Sequence, residues 1–228
     1  MLFQQLFEPT SSTFTYLLAD PVSREAVIID SVQETFDRDL KLIRDLELKL
    51  LYALETHIHA DHVTACGPIA DKTGAKTAMS AASSAKGVDV LLNDQSTLKF
   101  GPFEITALAT PGHTHSCMSY FVNGKVFTGD ALLIRGCGRT DFQEGSAETL
   151  YRSVHQKLFS LSDETVVYPS HDYKGFTSST IGIEKKLNPR LGGDRPLSEF
   201  VEIMRNLKLD PPKKIDIAVP ANMNCGRS

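Results

Sequence analysis

The run Thr56-His57-Ile58-His59-Ala60-Asp61-His62 places four ligating side chains, His57, His59, Asp61 and His62, within six residues. Imidazole nitrogens and carboxylate oxygens are the usual donors to zinc, iron and manganese, so the chemistry indicated is that of a metal centre. In an extended segment His57 and His59, two apart, point to the same side. Asp61 and His62 fall where the chain turns towards a helix, and both can fold back to the same point. A lone histidine is most often an ordinary surface residue. Three of them in six positions, directly after an apolar strand, are not.

Further candidates recur in the same context. His113 follows Thr110-Pro111-Gly112 at the end of an apolar segment, Asp130 follows Val126-Phe127-Thr128-Gly129, and His171 follows Val166-Val167-Tyr168-Pro169-Ser170. Each stands just past a strand signal, where loops carry chemistry on a rigid scaffold. His115 lies two residues beyond His113 and reads as a hydrogen-bonding loop residue, and His155 as an ordinary helix histidine. Neither a nucleophile elbow nor a phosphate-binding loop is present, and Gly136-x-Gly138 is too short for a dinucleotide site.

The elements that must position these residues follow from periodicity and turn chemistry. Residues 14–19 and 25–30 read as strands joined by a turn at Asp20-Pro21. Phe36, Leu40 and Ile43 fall at helical spacing and predict a helix over 35–46. A buried strand at 50–54 leads into the His/Asp run, and a helix over 63–72 is stopped by Gly74. Strands at 97–100 and 103–109 flank Gly101-Pro102, and strands at 118–122 and 125–128 flank Asn123-Gly124, a pair that tolerates positive φ and marks a tight hairpin. A helix over 147–158, a strand at 165–168 and a last helix over 196–206 complete the pattern, with an irregular tail from 210. This succession predicts an α+β fold of two sheets between helices. Closely spaced strands and the Asn-Gly hairpin argue against an all-parallel nucleotide-binding sheet.

Bulk properties bound the function. With 228 residues, 41% hydrophobic and 23% charged, the chain has the balance of a globular protein with a substantial core, and one domain over 1–228, with a short C-terminal extension from about 177, is the expectation. A net charge of -4 without a Lys/Arg block argues against nucleic acid and against an anionic membrane as the main partner. No apolar run approaches the roughly 18 residues that span a bilayer. Residues 1–6 lack the basic start of a secretory signal and the first basic residue is Arg24, so an organellar form would already be trimmed. Cys66, Cys117, Cys137 and Cys225 are far apart and form no Cys-x-x-Cys pair, which predicts reduced thiols and a cytoplasmic setting, or the mitochondrial matrix if the form is trimmed.

The motifs Thr56-His57-x-His59-x-Asp61-His62, Gly112-His113-Thr114, Phe127-Thr128-Gly129-Asp130 and Pro169-x-His171-Asp172 resemble, in order, those of the metallo-β-lactamase superfamily. That resemblance implies an αββα sandwich with metal at one edge. Within the superfamily, the segment from Gly129-Asp130-Ala131-Leu132 through Gly136-Cys137-Gly138-Arg139-Thr140-Asp141-Phe142-Gln143 is similar to persulfide dioxygenases, the family of the ethylmalonic encephalopathy protein. So are His171-Asp172-Tyr173-x-Gly175-Phe176-Thr177, Asn188-Pro189-Arg190-Leu191 and Ala218-Val219-Pro220-Ala221-Asn222-Met223-x-Cys225-Gly226.

The ligand inventory by itself fits one metal or two. The resemblance, not the spacing, implies one Fe(II) per chain held by His57, His113 and Asp130, with His59, Asp61, His62, His171 and Asp172 around them as orienting groups. It implies oxidation of glutathione persulfide by O2 to sulfite and glutathione, and makes Tyr173 and Arg190 substrate contacts. Arg139 is a further substrate candidate, or a brace for its loop through Asp141. Cys137 reads as structural rather than redox-active. The same resemblance implies association as dimers or larger oligomers and a sulfur-transfer partner such as a rhodanese. The competing enzyme class is a two-metal thioester hydrolase of the glyoxalase II type acting on S-lactoylglutathione. Its usual helical substrate-binding domain needs more than the 57 residues that follow His171. A metal-binding module without catalysis is disfavoured, because structural zinc prefers closed, cysteine-rich sites.

Overall fold

A computed structural model describes residues 1–212 and 214–227. Two six-stranded sheets follow chain order almost without crossing. The first contains β1 (Leu2–Glu8), β2 (Thr13–Ala19), β3 (Glu25–Ile29), β4 (Lys49–Leu54), β5 (Lys76–Ser80) and β6 (Val90–Leu92). The second contains β7 (Thr97–Phe100), β8 (Phe103–Ala109), β9 (Met118–Val122), β10 (Lys125–Gly129), β11 (Val166–Pro169) and β12 (Ser179–Thr180). Both sheets are mixed: β3 to β6 pair in parallel, as do β10 and β11, and the remaining neighbours are antiparallel.

Strand β2 shows why the layers stack. All seven of its residues are buried, as in a strand covered on both faces. Alternation sends Phe14, Tyr16 and Leu18 into the space between the sheets, against Phe100, Tyr120 and Phe127, and sends Leu17 and Ala19 outward. The outward set packs on α1 (Phe36–Asp45) and α2 (Cys66–Thr73) through Leu40, Ile43 and Ile69. On the far side, Leu108, Val126 and Val167 meet Leu150, Val154, Ile181 and Phe200 from α3 (Ala147–Ser153), its π-type continuation 154–158, α4 (Ile181–Leu187) and α5 (Leu197–Asn206). The result is a helix–sheet–sheet–helix sandwich.

Two expectations need correction. The helix over 63–72 begins at Cys66, because Thr64 is still extended and bridges Val32. The tail from 210 is not irregular throughout: residues Ile215–Asn222 form α6, with Pro220 inside it. Strands β1, β5, β6 and β12 and helix α4 carry too little periodicity to be read from sequence. The Asn123-Gly124 turn forms as expected, with φ of 48° and 71°.

The topology delivers the candidate residues to one edge. β8, β10 and β11 share one direction, since β9 runs antiparallel between β8 and β10, so His113, Asp130 and His171 all emerge from C-terminal strand ends. In the first sheet, parallel β3 and β4 do the same for Asp30 and the His/Asp run. Backbone bonds sew the two sheets together at this edge: Met118 N donates to Thr56 O at 2.8 Å, and Phe14 N to Ser170 O at 2.8 Å.

Candidate metal centre

His57 is buried and its ring is aimed by a relay. The Asp30 carboxylate accepts from Thr56 N at 2.8 Å and from Thr56 Oγ1 at 2.9 Å. With its proton so committed, Thr56 Oγ1 accepts from His57 Nδ1 at 2.9 Å, which leaves Nε2 as the free lone pair. His113 is fixed by a simpler device: its Nδ1 donates to the carbonyl of Arg139 at 2.6 Å, so its Nε2 is free as well. That Nε2 lies 3.6 Å from Asp130 Oδ2. Donor atoms of His57, His113 and Asp130 all fall within 4.8 Å of one another, which groups them as candidate ligands of a single ion.

Two glycines make this approach feasible. A Cβ at Gly138 would lie 2.7 Å from His113 Nδ1 and 2.6 Å from Asp130 O. Gly129, at φ +54°, passes Thr56 so closely that a Cβ would sit 2.7 Å from its hydroxyl oxygen.

A second cluster lies behind the first. His59 and His62 are fully buried, and with Asp61 they form another group whose donor atoms fall within 4.8 Å. His59 Nε2 stands 3.4 Å from carboxylate oxygens of both Asp30 and Glu55, contacts outside hydrogen-bond geometry. His62 Nδ1 donates to Asp61 Oδ2 at 3.0 Å, while its Nε2 has no partner. His171 joins the clusters: Nδ1 meets Asp130 Oδ1 at 2.7 Å and Nε2 meets Asp61 Oδ2 at 2.9 Å.

Electrostatics follow from burial and these contacts. Burial pushes His57 well below its ordinary pKa, helped by His59 and His113, which gives the neutral imidazole a metal requires. Burial opposes charge at His59 too, but Asp30 and Glu55 outweigh it and push the imidazole up to about 10. Asp130 is held well below the usual carboxylate range, because His171, His113 and His57 outweigh its burial.

A cleft of about 420 Å³ opens onto the first cluster. Its wall includes His57, His113, Asp130, Asp61 and His171, but not His59 or His62. Arg135, Arg139, Lys174 and Arg190 give it a cationic rim and Tyr173 an aromatic one.

The Metallo-beta-lactamase superfamily profile matches residues 9–171. Over 229 aligned residues, covering 99% of this chain and 89% of the relative, it is 52% identical to "Persulfide dioxygenase ETHE1, mitochondrial" of Homo sapiens. The crystal structure of ETHE1 from Myxococcus xanthus superimposes with a TM-score of 0.97 at 49% identity, covering 100% of both chains. The chain belongs to the persulfide dioxygenase family. A probable hydroxyacylglutathione hydrolase of Schizosaccharomyces pombe is more distant, at 34% identity over 72% of this chain and 65% of its own length.

In this member of the persulfide dioxygenase family, the residues singled out from sequence divide by position. Tyr173 is exposed, with its ring parallel to that of His171 at 6.0 Å. Arg190 engages Cys137 O at 2.9 Å through Nη1 and lines the cleft. Arg139 is committed: Nε and Nη2 grip Asp141 at 2.7 and 2.9 Å, and Nη1 donates to Asp210 O at 2.6 Å. Asp172 does not reach the ligands through any hydrogen bond; its Oδ2 accepts from Lys174 N and Phe176 N, capping the next turn. Burial pushes Cys137 up to about 11, so it is a neutral thiol in the core beside Met204. His115 donates through Nε2 to Ala82 O, and His155 stacks on Tyr151.

Sequence reasoning missed Asp30, Glu55 and Thr13. Asp30 carried a usable signal, since it too stands just past an apolar strand, and it takes φ +53° there. Thr13 Oγ1 lies 3.3 Å from His62 Nδ1 and 3.2 Å from His171 Nε2, a contact with no local signature.

Proposed function

We propose that this protein is a persulfide dioxygenase that converts glutathione persulfide, O2 and water to sulfite and glutathione with one Fe(II) held by His57 Nε2, His113 Nε2 and Asp130. The observation that carries this reading is the asymmetry of access: the cleft reaches the His57, His113 and Asp130 trio, while His59 and His62 are sealed behind it. His57, His113 and Asp130 would hold the iron, which would supply O2 activation and a place for the terminal sulfur, since two histidines and one carboxylate leave open positions.

The chain's own residues do the rest. Arg139 O and Thr56 hold the two imidazoles in the orientation and tautomer that present Nε2. His171 braces Asp130 from behind and is itself held by Asp61. Arg190 offers a guanidinium to a glutathione carboxylate, a charge-assisted pairing suited to its fork, and Tyr173 flanks the entrance. The cleft walls, including Leu133, Ile134 and Leu209, exclude bulk water from the reacting sulfur. Arg139, with its donors already satisfied, braces the loop rather than binding substrate.

We read residues 1–228 as one domain, because α4 and α5 complete the packing of the second sheet. No helix among the described residues is long and apolar enough to cross a membrane. The human and mouse relatives are named mitochondrial. For this chain, four buried unpaired cysteines favour a reducing compartment, cytoplasm or matrix.

The test is anaerobic loading with Fe(II), addition of glutathione persulfide, then admission of O2. Stoichiometric O2 uptake with sulfite formation is expected. One observation favours the other reading: buried His59 and His62 nitrogens without partners would suit the second metal of a thioester hydrolase. Rapid hydrolysis of S-lactoylglutathione without O2 uptake would overturn the dioxygenase in its favour.

A further inference from the structure

The turn that carries His59 to His62 is held from the far end of the chain. Asn222, the last residue of α6, is buried, and its side-chain amide is spent on this turn. Nδ2 donates to the carbonyl of His59 at 2.9 Å and to that of His62 at 2.8 Å, while Oδ1 accepts from Thr64 N at 2.9 Å. Neither carbonyl has another hydrogen-bond partner among the described residues. Two donor protons and one acceptor oxygen therefore clamp three backbone groups within residues 59–64.

The clamp is docked closely. Gly226, at φ +70°, brings the tail so near the run that a Cβ would lie 2.0 Å from Thr64 O. Gly67 N donates to Cys225 O at 2.9 Å, and Arg227 pairs with Asp71 at 2.9 Å. From the clamped turn a contact chain leads to the ligands: Asp61 Oδ2 meets His171 Nε2 at 2.9 Å, and His171 Nδ1 meets Asp130 Oδ1 at 2.7 Å.

We infer that Asn222 is a positioning residue for the metal centre, fixing the backbone of the 59–62 turn so that Asp61, His171 and Asp130 keep their places. The inference rests on the ligand assignment proposed above. It differs from a general packing role in what it couples: the amide bonds the backbone of the very residues whose side chains surround the ligands, and misplaced supporting groups weaken a metal site without unfolding it.

Asn222→Asp is the informative substitution. It keeps the size and the acceptor for Thr64 but removes both donors. Fe(II) affinity of the full chain, measured anaerobically by chelator competition, is expected to fall about 10–100-fold. The rise in melting temperature that Fe(II) gives the metal-free protein should shrink accordingly. Turnover of glutathione persulfide should lose kcat rather than gain KM, since the cleft rim is untouched. Asn222→Ser, which buries no charge, serves if the aspartate variant does not fold, and the same loss of affinity is expected. Asn224→Ala, whose Nδ2 meets only Pro220 O at 3.3 Å, is the control and should match wild type.

A lowered melting temperature of the metal-free variant with wild-type Fe(II) affinity would reduce Asn222 to packing and sink the inference. Asp130→Ala, measured alongside, separates the two claims. If it keeps Fe(II), the ligand assignment fails; if it loses Fe(II) while folded Asn222 variants keep it, only the role of Asn222 fails.

Discussion

The two histidine clusters at the sheet edge are built from the same side chains and differ in what reaches them. In the His57, His113 and Asp130 trio, each Nδ1 is tied to protein and each Nε2 faces a cleft. In the His59, Asp61 and His62 trio, the imidazoles are wholly buried and face carboxylates. Access and charge compensation, rather than ligand type, distinguish the two clusters. A metal site is therefore better judged by which lone pairs stay free and open than by counting histidines.

The largest test of this contrast is removal of an open-side ligand. Asp130→Ala should lose stoichiometric iron and sulfite production together, as read by metal analysis and O2 uptake; about one iron per chain in that variant would break the distinction. Gly138→Ala attacks the same trio without removing a ligand. A Cβ there must displace His113 or Asp130 by a large fraction of an ångström, and misplacement on that scale costs on the order of a hundredfold in rate. Gly136→Ala in the same loop meets nothing closer than 3.9 Å and should stay near wild type. Equal losses in the two glycine variants would show that the loop as a whole, not the room around His113, limits activity.

The sealed histidines, His59 and His62, should respond less. His62→Ala removes a supporting group and should lower activity or metal affinity about 10–100-fold while iron content at saturation stays near one per chain. Iron content falling to nothing in His62→Ala would merge the two clusters into one site. A metal titration of the unmodified chain with two equally tight equivalents would do the same.

His57, His113 and Asp130 were legible in the sequence as candidate positions, because each stands just past an apolar strand; their selection over His59, Asp61, His62 and His171 came from the resemblance and not from the spacing. The antiparallel pairing of 118–122 with 125–128 was legible from the Asn123-Gly124 turn. The supporting layer was not. Asp30 reads as the end of a strand, while Glu55 and Thr13 fall outside the strands read at 50–54 and 14–19, and only the packing of two sheets brings them to the imidazoles. Helix α6 was hidden by Pro220 and by a stretch that lacks amphipathic spacing, so the tail read as irregular. Asp172 shows the converse: adjacency to His171 suggested a role at the metal, whereas its carboxylate serves two loop amides. Spacing reveals what lies on one element; it carries little about what a second element brings from 160 residues away.

The smallest expected effect sharpens the contrast at the rim, between two arginines that line the same cleft. Arg139 has Nε, Nη1 and Nη2 in hydrogen bonds to Asp141 and to the 209–210 backbone, so little of its charge is available to a ligand. Arg190 spends only Nη1, on Cys137 O, and keeps the rest of its fork for a carboxylate. Losing one charge-assisted contact of about 1.5–3 kcal/mol, partly screened at an open rim, corresponds to about a tenfold rise in KM. Arg190→Ala should therefore raise KM for glutathione persulfide about tenfold with kcat nearly unchanged, the signature of binding shared by ground and transition states. Arg139→Ala should instead lower thermal stability, with KM changing about twofold or less, because the Asp141 carboxylate it releases is largely exposed and can be rehydrated. A tenfold KM change in Arg139→Ala with none in Arg190→Ala would reverse the assignment. It would mean that the bracing contacts of Arg139 open when substrate arrives, and that a committed guanidinium can still be the one that binds.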